Sequence, residues 1–295
     1  MLSRDPIDSA RKTVHALTVD VEAFTESHEQ SVTVDPALLD TSAMDREIDE
    51  NLSVTLDLLS EHQTTATFFF LGRIGQTAPH LVRRAADAGH EIGCHSLYHR
   101  RITGQTEGEF RAQLGEAKSR LEEACGREVI GFRAPDFSIT AESKWALDVL
   151  TESGFRYDSS IVPTGLHDVY GMRNVPEDVF RWPNGLIEFP LPVMHFLGQS
   201  FPVGGGGYFR LYPLMVTKRF YRRQAKRGKA TVFYIHPYEI GPVAPRLPGL
   251  SLTRRFRHYV RLDKGRERLP RLLRAASFGT MADVLKAKAL LGAVP

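Results

Sequence analysis

The sequence predicts an α/β protein built as a distorted (β/α)7-type barrel, and three observations predict it. Seven short β-branched or aromatic runs alternate with segments of helical periodicity. That alternation implies crossover connections and a mostly parallel sheet. The chain has 295 residues, 42% apolar and 25% charged, ample for a well-buried core.

The elements follow in order. Residues 14–20 form the first strand candidate and end on an acid. Residues 42–61 place Ile48, Leu52, Leu56 and Leu59 at helical spacing behind Ser42 as a cap. Residues 64–71 read as a fully apolar strand, and residues 79–88 as a helix with proline at its start and Gly89 at its end. Residues 90–94 make a short third strand. Thr106 and Glu109 form a capping box for a helix that turns Phe110, Leu114, Ala117 and Leu121 inward and stops at Gly126. Residues 129–132 are the fourth strand, and 140–153 a helix closed by Gly154. Residues 155–157, 186–189 and 231–235 complete the seven strands. The stretches 163–183 and 198–207 read as loops. The second holds four consecutive glycines, Gly204 to Gly207, without the Lys-Ser/Thr of a phosphate loop, and reads as a flexible segment on the substrate side. Beyond Pro248 the composition turns basic. The expected division is a barrel over residues 1–245 and a basic extension over 246–295 packed on it.

A net charge of only +3 argues against a nucleic-acid partner. The charge is unevenly placed, however. Ten Lys, Arg or His residues lie between Arg254 and Arg274 against Asp263 and Glu267, and a milder basic run spans 218–229. Such runs are ordinarily solvated helix faces; the sharper reading is peripheral contact with an anionic glycan carrier or a membrane surface. Cys94 and Cys125 offer neither a disulfide framework nor a thiolate cluster. The polar N-terminus lacks the apolar core of a signal peptide, and no stretch reaches the roughly 18 apolar residues of a membrane span. The expected location is the cytoplasm.

Polar residues gather at the ends of five strand candidates. The first ends Asp20-Val21-Glu22, the third runs into His95-Ser96-Leu97-Tyr98-His99, the fourth into Arg133-Ala134-Pro135-Asp136-Phe137, the fifth reaches Asp158, and the last ends at His236. Barrel enzymes collect their chemistry at strand C-termini. His95 and His99, four residues apart as if on a helical turn, can face one cation; imidazole suits Zn²⁺, Co²⁺, Ni²⁺ or Fe²⁺. Asp20 and Glu22 add two carboxylates on one side of a strand, so one can bind a metal while the other stays free as a base. His236 is a candidate general acid with Asp158 to orient it. Arg133 can hold the base carboxylate.

These residues resemble the polysaccharide deacetylases of the NodB-homology type, carbohydrate esterase family 4, over roughly residues 14–240. The carriers are TVDVE (residues 18–22), HSLYH (95–99), RAPDF (133–137), the Asp158 region and YIHP (234–237). The opening motif, GGGGYFR (204–210) and FRHYV (256–260) resemble a bacterial subgroup found with exopolysaccharide biosynthesis, which has an extra C-terminal region. The resemblance implies the NodB fold and one divalent metal, zinc before cobalt, nickel or iron. It makes Asp20 the base and Glu22, with His95 and His99, the ligand set, because Val21 stands where the common TFDDG form has its ligand. Asp136 stands where many relatives have Tyr; with Pro135 it belongs to the substrate and oxyanion region. The implied reaction removes N-acetyl groups from amino-sugar residues of a polysaccharide or its biosynthetic intermediate. Its rivals are a small-molecule amide or cyclic imide hydrolase or deformylase, an O-deacetylase, and a silent glycan-binding module.

Overall fold

The computed structural model describes residues 13–28, 40–165 and 170–292; the N-terminal residues on which the expectation of no leader rests lie outside them. Among the described residues are eleven strands, β1 (Val14–Val21), β2 (Thr67–Phe70), β3 (Glu91–Cys94), β4 (Gly131–Phe132), β5 (Tyr157–Asp158), β6 (Phe180–Arg181), β7 (Ile187–Glu188), β8 (Val193–Phe196), β9 (Gln199–Pro202), β10 (Val232–Ile235) and β11 (Ser277–Gly279). Nine form one sheet in the order β10-β1-β2-β3-β4-β5-β7-β6, with β11 on β1, while β8 and β9 make a separate hairpin. Every pairing in the large sheet is parallel except β6 with β7. All seven expected strands are in it. The sheet curls into an incompletely closed α/β barrel.

The helices are α1 (Phe24–His28), α2 (Thr41–Glu61), α3 (Gly72–Thr77), α4 (Pro79–Asp87), α5 (Glu107–Cys125), α6 (Ala146–Glu152), α7 (Gly206–Leu211), α8 (Leu214–Lys226), α9 (Leu252–Tyr259), α10 (Gly265–Leu273) and α11 (Met281–Ala287). α5 opens with the capping box of Thr106 and Glu109 and closes at Gly126, which has φ 67°. α2 buries Ile48, Leu52, Leu56 and Leu59 in the core cluster that also holds Leu17, Val19, Phe68 and Phe70. Its cap is Asp40, whose carboxylate accepts from the Ser42 N–H at 2.9 Å, and not Ser42 itself; the helix starts one residue earlier than expected, at Thr41. The helix expected over 140–153 begins only at Ala146. Ser143 Oγ accepts from the Thr140 N–H and donates to the Ser138 carbonyl, and these local bonds hold the preceding backbone out of the helix.

Two regions differ more. The four-glycine segment, expected to be flexible, is packed against β10. Gly205 has φ 141°, the Tyr234 N–H donates to the Gly204 carbonyl at 2.7 Å, and a Cβ on Gly205 would stand 1.8 Å from the Tyr234 oxygen. Only glycine allows that approach. The basic C-terminal tail not only packs on the barrel but extends its sheet, because β11 pairs with Val14–Ala16. Behind it the Met281 and Ala282 N–H groups donate to Thr67 and to the half-buried Glu91.

Candidate active site

Asp20 is the penultimate residue of β1, and Glu22 follows it as the chain leaves the strand. Both are 2% exposed. The turn that carries Glu22 is held from behind: Glu47 accepts from the Phe24 N–H at 2.7 Å, and Arg73 joins Glu26 to Asp45.

His95 and His99 do not lie on a helical turn. They flank a loop after β3 in which Ser96 has φ 70°, and the carbonyls of Ser96 and Leu97 accept from the first N–H groups of α3. The left-handed residue folds the loop back so that both imidazoles meet Glu22. Glu22 Oε2 stands 2.8 Å from His99 Nε2 and 3.3 Å from His95 Nε2. His95 Nδ1 is 2.8 Å from the Arg133 carbonyl, a contact that places the proton there and leaves the Nε2 lone pair facing Glu22.

Arg133, at the end of β4, is fully buried. Its guanidinium donates to Asp20 Oδ1 at 2.7 Å, to Thr18 Oγ1 at 2.6 Å and to both oxygens of Ser159, and it lies over the Phe69 ring. A buried charge so fully bonded fixes the carboxylate it holds. His236, at the end of β10, has Nε2 3.5 Å from Glu22 Oε1.

The orientation expected for His236 is corrected. Its Nδ1 bonds to Glu239 Oε2 at 3.0 Å, and Glu239 is fixed in turn by Arg210 at 2.7 Å. Asp158 instead accepts from Ser160 Oγ at 2.6 Å, and Ser160 Oγ receives the Ala134 N–H at 2.8 Å. Asp158 thus braces the RAP segment from behind, bonded to Ser160, and is not among the residues that line the cavity. The signal for Glu239 was in the sequence: His236 and Glu239 are three apart and form a capping box around Pro237. Asp136, at φ 53°, reaches the cavity and pairs with Arg101 at 2.6 Å; Pro135 is buried beneath it and, lacking an N–H, cannot donate to an oxyanion.

Burial opposes charge throughout this group, and neighbouring charges override it. Burial works against ionised Glu22, yet the facing imidazoles hold its carboxyl well below the usual range. Burial likewise opposes a charged His99, but Glu22 carries it up to about 10. His236 is raised despite burial by its bond to Glu239, and Glu239 is held down at about 2, chiefly by His236 acting against burial.

The residues fit a divalent cation. Glu22 Oε2 is buried and makes no hydrogen bond, although two imidazole nitrogens face it. The ligand atoms of Glu22, His95 and His99 all lie within 4.8 Å of one another. Two imidazoles and one carboxylate leave coordination positions open. The trio opens into a cavity of about 590 Å³ whose walls include Asp20, His236, Asp136, Tyr170, Tyr208 and Arg210. Its outer rim comes from the tail, through Thr253, Phe256 and Arg257. Sequence reasoning missed Tyr170, Tyr208 and the tail because they come from a loop and from helices α7 and α9, not from the ends of sheet strands.

Residues 12–157 match the polysaccharide deacetylase family, and residues 159–286 match a domain of unknown function, DUF3473. Residues 12–157 are thus a polysaccharide deacetylase domain. A chitooligosaccharide deacetylase of Sinorhizobium fredii is 35% identical over 99 residues, which are 33% of this chain and 43% of that protein. A crystal structure of a Mycobacterium smegmatis protein assigned to the polysaccharide deacetylases superposes with TM-score 0.61 at 20% identity, covering 100% of this chain and 98% of that one. The allantoinase PuuE gives the same TM-score at 15% identity, covering 98% and 96%. The deacetylase match takes in Asp20, Glu22, His95, His99 and Arg133. The DUF3473 match supplies His236, Glu239, Arg210 and the cavity rim. The site is therefore assembled from both matched segments. The chain spans less than half the length of the curated chitooligosaccharide deacetylases it matches, and at these identities the structural likenesses describe the fold.

Proposed function

We propose that the chain is a metal-dependent hydrolase that removes N-acetyl groups from amino-sugar residues of a glycan or of its biosynthetic intermediate. The observation that carries this reading is the division of labour between two adjacent carboxylates. Glu22 turns a hydrogen-bond-free oxygen toward two imidazoles, whereas Asp20 is tied to Arg133 and stands outside that trio. One acid is arranged to hold a cation and the other to take a proton.

Glu22, His95 and His99 would hold one divalent ion, zinc before cobalt, nickel or iron, and when bound it would polarise the acyl carbonyl and acidify water. Asp20, with Arg133 fixing its orientation, accepts the proton of the attacking water. His236 carries the proton that the leaving amine needs. Glu239 keeps that imidazole charged and aimed by its bond to Nδ1, leaving Nε2 toward the cavity. The backbone around Asp136 borders the place where negative charge develops on the acyl oxygen, and the Arg101 pair holds it there. Asp158 acts on this geometry at one remove, through Ser160 and Ala134. No helix among the described residues is long and apolar enough to cross a membrane; a cytoplasmic setting and a place in exopolysaccharide synthesis suit a biosynthetic intermediate as substrate.

Metal content and acetate release test the reading together. The purified protein should carry one metal per chain and release acetate from N-acetylglucosamine oligomers, and H95A should do neither. Metal without acetate, with turnover of small cyclic imides instead, would transfer the site to the rival amide hydrolases. Protein without metal affinity would overturn the mechanism.

A further inference from the structure

Outside the catalytic cavity, one flank of the molecule carries charge that the reaction does not use. α8 contains Lys218, Arg219, Arg222, Arg223 and Lys226 and no acidic residue. Lys218 with Arg222, Arg219 with Arg223, and Arg222 with Lys226 are each four residues apart, the spacing at which like charges repel along a helix. Among the described residues, Lys218, Arg219, Arg223 and Lys226 have no carboxylate partner. Together with Arg271 of α10 they line an open groove of about 880 Å³.

This groove does not stand alone. It begins at Leu214 and Met215, and Met215 is 77% exposed. Four residues earlier, Leu211 lines the catalytic cavity, as does Phe256 on α9. Phe256 and Leu252, one helical turn apart, are 60% and 84% exposed, and Leu211 is 44% exposed. Arg254, Arg255 and Arg257 surround them in sequence. The two regions are joined: Arg210 donates to the His258 and Val260 carbonyls, and Arg261 to that of Leu211. α8 therefore starts at the cavity mouth and runs about 18 Å away from it to the opposite end of the sheet, where Thr13 bonds to the Ala225 carbonyl.

We propose that this edge docks on an anionic lipid bilayer, with the α8 groove against phosphate headgroups and Met215, Leu252 and Phe256 entering the interface. Unbalanced cations alone would suit any polyanion. Large apolar tips held in water beside them are the mark of an interfacial surface, since they gain free energy only where hydrocarbon is available. Docked in this way, the protein presents its cavity mouth next to the bilayer, so a substrate carried on a lipid reaches the site without leaving the membrane surface. The proposal extends the deacetylase reading without resting on it, because the docking assay requires no substrate.

Co-sedimentation of the full chain tests it, with phosphatidylcholine vesicles set against vesicles that also contain phosphatidylglycerol. The protein should pellet with the anionic vesicles only, and high salt should release it. K218Q/R219Q/R222Q/R223Q should lower the partition coefficient about a hundredfold, and M215S/L252S about tenfold, with unchanged melting temperatures showing that both variants fold. Wild-type protein left in the supernatant, or a charge variant that pellets as well as wild type, overturns the proposal. Binding to dextran sulfate without binding to anionic vesicles also overturns it, in favour of a soluble polyanion.

Discussion

Two pairs of buried acids stand at the C-terminal ends of strands in this molecule, and their surroundings set them apart. Asp20 and Glu22 lie at the end of β1, with the Arg133 guanidinium facing the first and the imidazoles of His95 and His99 facing the second. Asp158 and Glu188 lie directly across from one another on the parallel strands β5 and β7 and hydrogen-bond to each other. Burial pushes both of the latter upward, and the charge of Asp158 pushes Glu188 further, so the pair keeps a proton. The first pair faces the cavity, with Glu22 held well below the usual carboxyl range by its imidazoles; the second is closed off by Ser160, Trp182 and the Ile161 N–H. An acid at a strand end is thus only a position. The group facing it decides whether it becomes chemistry or scaffold.

The strongest way to break this comparison is to make the same isosteric change in both pairs. D20N keeps an acceptor for Arg133 but removes the base, and should lower kcat by about a thousandfold, within the range of general-base contributions. D158N keeps the acceptor for Ser160 and should leave kcat within about threefold of wild type, since its action passes through packing. Comparable losses in both variants would return Asp158 to the catalytic group.

Removing the cation that faces Asp20 should sharpen the comparison on the stability side. R133M strands a buried carboxylate and should cost about 3–5 kcal/mol of unfolding free energy by urea denaturation. A cost below about 1 kcal/mol would mean that the guanidinium is replaceable by water, against its zero exposure.

Smaller effects follow from Glu239. Burial opposes charge on His236, and the bond and charge of Glu239 hold its pKa up. E239Q removes that charge, so the proton leaves His236 at lower pH. The alkaline limb of the kcat/KM profile should move to lower pH, with about tenfold less activity on that limb and little change below it. An unmoved limb would separate Glu239 from the acid.

How much of this was legible differs between strands and loops. The sheet announces itself because alternating apolar runs and helical stripes are local patterns, and Asp20, Glu22, His95, His99, Arg133 and His236 sit at the ends of those runs. What the sequence hid depends on chain direction after a strand ends. The 95–99 segment reaches its geometry through one left-handed serine, which periodicity cannot reveal. Asp158 looked like a partner for His236 because both close a strand, yet the chain turns Asp158 toward Glu188. The glycines read as flexible because glycine permits motion, but here it permits the contact with Tyr234. The tail read as an appendage because it is basic; β11 and the rim residue Phe256 are joined to the barrel by contacts far apart in sequence.

The smallest expected effect tests the second acid pair directly. Both carboxyls are raised above their unfolded values, so the folded state retains a proton that the unfolded chain gives up. Their contribution to stability is complete below the ordinary carboxylate range and is lost as pH rises through the folded values. Glutamine at position 188 can still donate to Asp158 and cannot ionise. E188Q should therefore match wild type at mildly acidic pH and exceed it at mildly alkaline pH by about 1–2 kcal/mol, since each unit of raised pKa corresponds to about 1.4 kcal/mol. Urea titrations across that range read the difference. A wild-type protein whose stability does not decline with rising pH, or an E188Q variant that declines in parallel with it, would mean that the pair is ionised and that some cation faces it after all.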